Sequence, residues 1–150
     1  MSAPQFSPEL QLSAQPGCLC EVRGWVREAA KLAGCDAPLV DDLVLAVNEA
    51  CMNVIQHAYC FACDQEMLLR IRQEPGAMVF ELLDHAKPIC TEDVKPRDLD
   101  DIRPGGLGVH FIRTIMDEMA FVTPPTGFGN MLRMVKHIND GNQGKDSNGA

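Results

Sequence analysis

No stretch of the 150-residue chain approaches the run of about 20 apolar residues that a membrane span needs. Positive charge is also scarce. Thirteen lysines and arginines stand against 21 acids, a formal net charge of −8. Such a surface repels phosphate backbones and anionic lipid, which argues against nucleic acid and membrane as partners. Residues 1–12 have neither a basic start nor an apolar centre, so they do not read as an export signal. The expectation is a soluble, cytoplasmic protein. No internal repeat and no second domain is visible. A length of 150 residues with 46% hydrophobic content suits one domain, expected over residues 1–138. The polar, glycine-rich residues 139–150 are expected to form a disordered tail.

Seven cysteines are present, Cys18, Cys20, Cys35, Cys51, Cys60, Cys63 and Cys90. An odd number, several at apolar helical positions, points to free thiols. Cys60 and Cys63 have metal-type spacing close behind His57, but one such pair without a second is weak evidence for zinc. They are read as thiols at a helix-to-strand turn.

Residues 9–13 alternate polar and apolar as a short strand, which Pro16 and Gly17 end. From 18 to 33, Leu19, Val22, Val26, Ala29, Ala30 and Ala33 recur at helical spacing, and Gly34 suits the position just past a helix end. Asp36 is a plausible N-cap for a second helix, with Pro38 in its first turn, running to about His57. Residues 67–72 and 78–83 read as two strands joined at Glu74, Pro75 and Gly76. Residues 87–106 read as a long loop, a third helix spans 107–117, and strands near 120–123 and 130–137 flank a turn with Pro124, Pro125 and Gly127. Consecutive strands pair as hairpins, so the expected fold is an α/β two-layer sandwich. Its sheet should be mixed and mostly antiparallel, covered on one face by three helices. Met116 and Met119 are read as core.

Three groups of residues carry possible chemistry. On the second helix, Glu49, Asn53 and His57 are spaced four apart and form one polar stripe, with Ala46 leaving room beside Glu49. A carboxylate can take a proton from an attacking hydroxyl, and an amide oxygen is a hard ligand suited to Mg²⁺. By itself such a stripe is an ordinary solvated face. His57 is read as packing at the helix end. Asp84 closes an apolar strand, where a buried carboxylate could accept a hydrogen bond from an exocyclic amine such as that of adenine; aspartate also simply favours strand-ending turns. Finally, Arg103-Pro104-Gly105-Gly106-Leu107-Gly108 runs into a helix. Glycines before a helix let backbone amides approach phosphate, and arginine adds a cation. Arg97 and Arg113 could join Arg103 in a local basic pocket. The pattern is not a P-loop, because no Lys-Ser or Lys-Thr follows, and not a dinucleotide fingerprint, because no strand precedes it.

Together, in this order, the three groups resemble a known family. Residues 48–59, Asn-Glu-Ala-Cys-Met-Asn-Val-Ile-Gln-His-Ala-Tyr, are similar to the N-box of the GHKL (histidine-kinase-like) ATPases, in the form that ends His-Ala-Tyr in bacterial anti-sigma factor serine kinases. Residues 83–88 resemble the first glycine box, and residues 103–112 with Met116-Asp117-Glu118 resemble the second. The resemblance covers about residues 9–137. It implies an ATP-dependent protein-serine kinase and anti-sigma factor of the GHKL fold. Its ligands would be ATP and Mg²⁺, its substrate a serine on a small anti-anti-sigma protein, and its other partner a sigma factor; homodimerisation is left open. By motif match, Glu49 would be the general base, Asn53 the magnesium ligand and Asp84 the acceptor for the adenine amine. Gly105, Gly106 and Gly108 would wrap the phosphates, with Arg103 facing the γ-phosphate; Ala86 and Leu107 complete the nucleotide-binding set. Ala86 stands where the first box usually has glycine, and Asn130-Met131 where relatives often place a threonine near the adenine. The loop 87–106 would be a lid that senses ATP against ADP. The rival reading is a nucleotide-binding, partner-switching module that transfers no phosphate. A detached histidine-kinase ATP domain is weaker, since no helical hairpin with a phospho-acceptor histidine is present.

Overall fold

The computed structural model describes residues 9–59, 64–88 and 107–138. Strand β1 (Glu9–Ser13) leads through a 3-10 turn at Pro16–Cys18 into helix α1 (Leu19–Leu32). Val22, Val26, Ala29 and Ala30 form its buried stripe, as the spacing requires. Gly34 then adopts a φ of 91°, the left-handed geometry that ends helices at glycine. Helix α2 (Ala37–Asn53) starts at Asp36, whose side chain accepts from the Leu39 N–H at 3.1 Å. Such a cap is worth about 1 kcal/mol. The helix does not stop at Asn53. It widens into a single π turn over Val54–Ala58 before Tyr59.

Strands β2 (Glu66–Glu74) and β3 (Ala77–Asp84) form a hairpin. Pro75 and Gly76 make its two-residue turn, Gly76 at φ 76°. Proline fixes φ near −65° and glycine supplies the positive φ, the combination that favours a type II turn. Helix α3 (Leu107–Ile115), β4 (Glu118–Val122) and β5 (Asn130–His137) complete the described chain. The sequence places β4 two residues too late and α3 two residues too long. Asp117 is already tied to β5, because its N–H donates to the Val135 carbonyl and its carboxylate accepts from the His137 N–H.

The sheet order is β1-β2-β3-β5-β4, and each of the four described pairings is antiparallel. The expectation of a mostly antiparallel sheet holds, and no parallel pair occurs among the described strands. β3 and β4, separated by one helix, run in the same direction, but β5 inserts between them and pairs antiparallel with both. The helices cover one face. Met78, Phe80 and Leu82 of β3 join the core with Leu43, Val47 and Ala50 of α2, Val22 and Val26 of α1, and Ile112 of α3. Met116 is buried in this core and Met119 packs on its edge. On the opposite face, Glu81 is buried beneath two arginines, bonding Arg70 Nη2 at 3.0 Å and Arg72 Nη2 at 3.1 Å. No described helix is long and apolar enough to cross a membrane.

Helix α2 is the central helix. It packs on α1 at one side, on α3 at the other, and on β3 beneath.

Candidate functional site

Asp84 is the last residue of β3 and is 5% exposed. Its Oδ1 accepts from the Ala86 N–H at 2.9 Å and from Asn130 Nδ2 at 3.0 Å. Among the described residues no hydrogen bond falls on Oδ2. Burial pushes the carboxyl above the ordinary aspartate range, opposed by those two hydrogen bonds and by the nearby His85. A buried carboxylate with one saturated oxygen and one open oxygen can accept a hydrogen bond from an amine that enters the site.

The surroundings of Asp84 are tied down at several points. Gly129 N–H donates to the Asp84 carbonyl at 2.7 Å. A Cβ on Gly129 would run into the Ala86 carbonyl, so only glycine fits there. Asn130 Nδ2 reaches the Lys87 carbonyl as well, at 3.1 Å. The His85 ring stacks on Phe128 with centroids 4.7 Å apart, and its Nδ1 lies 2.9 Å from the Gly127 carbonyl. Tyr59 connects this corner to the helical layer. Its hydroxyl accepts from the His85 N–H at 2.6 Å and donates to the Glu66 carbonyl at 2.7 Å. Burial raises the Tyr59 pKa, so the phenol stays protonated and able to donate. Sequence reasoning passed over Gly129, Phe128 and the two bonds of Tyr59. The available signals were a glycine directly before a strand and the chain's sole tyrosine at the end of the helical box.

Glu49 and Asn53 both lie on α2 and are half-buried, while Ala46, one turn earlier, is fully buried. This flank of the helix is therefore not a freely solvated face. Among the described residues neither Glu49 nor Asn53 has a hydrogen-bond or ion-pair partner. By contrast, Asn48 on the same helix accepts from Arg23 Nη1 at 3.1 Å, and Asp41 pairs with Arg27 at 3.0 Å. Those pairs fasten α2 to α1, and they leave Glu49 and Asn53 uncommitted. The π turn carries the chain from Asn53 to Tyr59 and so to the backbone beside Asp84.

The structure therefore brings Asp84, Ala86 and Asn130 into contact and joins them through Tyr59 to the helix bearing Glu49 and Asn53. Leu107 and Gly108 form the first turn of α3, although the side chain of Leu107 lies outside the described residues. Arg113 is exposed in the last turn of that helix. Arg97, Arg103, Gly105, Gly106, most of the expected lid, Cys60, Cys63, Cys90 and the tail 139–150 also lie outside, as does the side chain of His57. The four described cysteines, Cys18, Cys20, Cys35 and Cys51, are free thiols.

The chain matches the histidine kinase-like ATPase domain over residues 12–136. It is 30% identical to the serine-protein kinase RsbW of Bacillus subtilis, over 87% of this chain and 85% of that protein. It is 30% identical to the RsbW of Listeria monocytogenes serovar 1/2a, over 87% of each. With a two-layer sandwich, an open carboxylate at the end of β3 and an uncommitted Glu-Asn pair on the central helix, these similarities place the chain in the histidine kinase-like ATPase family, among the relatives of the RsbW serine kinases.

Proposed function

We propose that this protein is an ATP-dependent protein-serine kinase that also acts as an anti-sigma factor. It would phosphorylate a serine on a small anti-anti-sigma protein and hold a sigma factor. The observation that carries the reading is Asp84, buried with Oδ1 saturated and Oδ2 open. Oδ2 accepts from the exocyclic amine of adenine. Asn53 offers its amide oxygen to magnesium, and Glu49 takes the proton of the attacking serine hydroxyl. Backbone amides of Gly105, Gly106 and Gly108 and the Arg103 guanidinium would bind the phosphates, with Ala86 and Leu107 completing the nucleotide-binding set. Bound Mg·ATP supplies the phosphoryl group. The serine Oγ–P bond forms, the bond from the γ-phosphorus to ADP breaks, and the proton passes to Glu49.

The half-buried setting of Glu49, without a partner among the described residues, supports the kinase over a nucleotide-dependent switch that transfers nothing. A pure binder needs Asp84 and Asn53 but no base. The net charge of −8 favours protein partners over nucleic acid or membrane, and a cytoplasmic setting fits such partners.

The test is incubation with Mg·ATP and a lysate of the source cells, scoring new phosphoserine on a small protein. Glu49→Gln should bind ATP normally and lose about 10²–10⁴-fold in transfer. A wild-type protein that binds ATP and produces no phosphoserine would be a switch. A Glu49→Gln protein as fast as wild type would remove Glu49 as the base.

A further inference from the structure

The peptide that joins Asp84 to His85 is held at both of its polar atoms. Its carbonyl, on Asp84, accepts from the Gly129 N–H at 2.7 Å, and its N–H, on His85, donates to the Tyr59 hydroxyl at 2.6 Å. The first bond comes from the turn before β5, the second from the end of the central helix. The phenol is fastened in turn, because it donates to the Glu66 carbonyl at 2.7 Å. The course of the helix brings the ring there. The Tyr59 N–H bonds the Val54 carbonyl at 2.9 Å, five residues back, where a regular α-helix would reach four. One extra residue in a turn rotates everything beyond it by about 100°. The π turn lies between Asn53 and Tyr59, so it sets the angle between the Asn53 side chain and the bond to His85.

We propose that Tyr59 is a positioning residue: clamped between the His85 N–H and the Glu66 carbonyl, it locks the end of the central helix to the peptide that follows Asp84, so that Asn53 holds magnesium on the phosphates of the same nucleotide whose base Asp84 holds. The inference rests on the ATP-binding reading of Asp84 and Asn53. Those two residues belong to different layers, Asp84 ending β3 in the sheet and Asn53 ending α2 above it. Beneath its middle, α2 meets the sheet through apolar side chains such as Val47, Ala50 and Phe80. Apolar burial is non-directional, so it leaves the axial position of the helix loosely specified. A hydrogen bond weakens steeply off its geometry, and the phenol makes two of them to backbone atoms. The Tyr59 hydroxyl therefore touches neither nucleotide nor metal. It acts by fixing the distance between the groups that do.

The test is calorimetric titration of wild type, Tyr59→Phe, Asn53→Ala and the double variant with ATP, in magnesium and in EDTA, below the melting transition of each. Magnesium should tighten ATP binding to wild type. Tyr59→Phe should bind ATP in EDTA within about twofold of wild type and lose about tenfold of the magnesium enhancement, inside the usual range for coupled sites. Asn53→Ala should lose the enhancement by itself. Adding Tyr59→Phe to it should then change Mg·ATP affinity by less than about twofold, because a residue that acts through Asn53 has nothing left to act on. If Tyr59→Phe weakens ATP equally with and without magnesium, or its effect adds in full to that of Asn53→Ala, Tyr59 is a structural tie only and the proposal falls. An undiminished enhancement overturns it too. If Tyr59→Phe does not fold, wild type decides. Tyr59 is the chain's sole tyrosine, so growth on 3-fluorotyrosine places a single fluorine probe there. Its resonance should differ between ATP in EDTA and Mg·ATP, and an identical resonance would overturn the proposal. A wild type that binds no ATP would overturn the ATP reading itself, and one that binds ATP without any magnesium enhancement would remove Asn53 as the metal ligand, so these failures are told apart from a failure of Tyr59.

Discussion

The hydroxyl of Tyr59 accepts a hydrogen bond from the backbone N–H of His85 at 2.6 Å, joining the end of the central helix to the residue that follows Asp84. The same hydroxyl donates to the Glu66 carbonyl at the start of β2. Both roles of the phenol are used, and the ring is 7% exposed. Tyr59→Phe removes both bonds and leaves a part-buried N–H without its partner. It should cost about 1–3 kcal/mol in urea denaturation. An unchanged midpoint would show that water replaces the phenol.

Two glycines should respond in opposite directions. Gly129→Ala drives a methyl into the Ala86 carbonyl, which is backbone and cannot turn aside. A loss of about 1–3 kcal/mol is expected, the usual range for overpacking. Gly24 lies exposed inside α1, with no atom within 4 Å of an added Cβ. Gly24→Ala should add about 0.5–1 kcal/mol through helix propensity. Thermal melts of the two variants check both signs.

Much of this architecture is legible in the residues. The helical stripes of α1 and α2, the Asp36 cap, the Gly34 stop and the Pro75-Gly76 hairpin are local signals, and each is where its chemistry predicts. Asp84 could be marked as a candidate because an acid at the end of an apolar strand that leads into a loop can point into a cleft. What escaped is non-local. The resemblance sets Asn130 near the adenine, but no local signal announces that its amide bonds Asp84, 46 residues earlier. Nor does the sequence announce that β5 enters between β3 and β4. The shift of β4 arose because Asp117 bonds across to β5, a contact invisible to helical periodicity.

The described thiols should separate by burial. Cys51 is fully buried and desolvation raises its pKa well above the free-thiol range, with the nearby Cys18 adding to the effect. Cys20 is exposed. Only the thiolate reacts, so iodoacetamide should label Cys20 in the native protein and reach Cys51 only after unfolding. Peptide mapping by mass spectrometry reads this directly. Early labelling of Cys51 would show that the contact between α2 and the sheet opens readily.

Asp84 should trade stability for binding. Its folded pKa lies above the value of 3.8 for a free carboxyl, so the folded state holds more protons than the unfolded state between those two values. Stability therefore falls as pH rises through that window, and the cost persists at neutral pH. Asp84→Asn keeps an acceptor for the Ala86 N–H and Asn130 Nδ2 but carries no charge. Without nucleotide, its melting temperature at pH 7 should exceed that of wild type, and the difference should close as pH drops below about 4. A variant that melts lower at pH 7 would show that the ionised carboxylate is stabilising in the fold.

The most direct test of the account is a calorimetric titration of Mg·ATP into wild type and Asp84→Asn at pH 7.5. Because the variant retains the Oδ1 contacts, any change in affinity reports on the open oxygen and not on the fold. The substitution places an amide donor against the adenine amine, and a mispaired buried polar group costs about 1–3 kcal/mol. Wild type should bind, and Asp84→Asn should bind about tenfold or more weakly while melting no lower than wild type. Equal affinities would contradict the account and remove Asp84 from the nucleotide pocket.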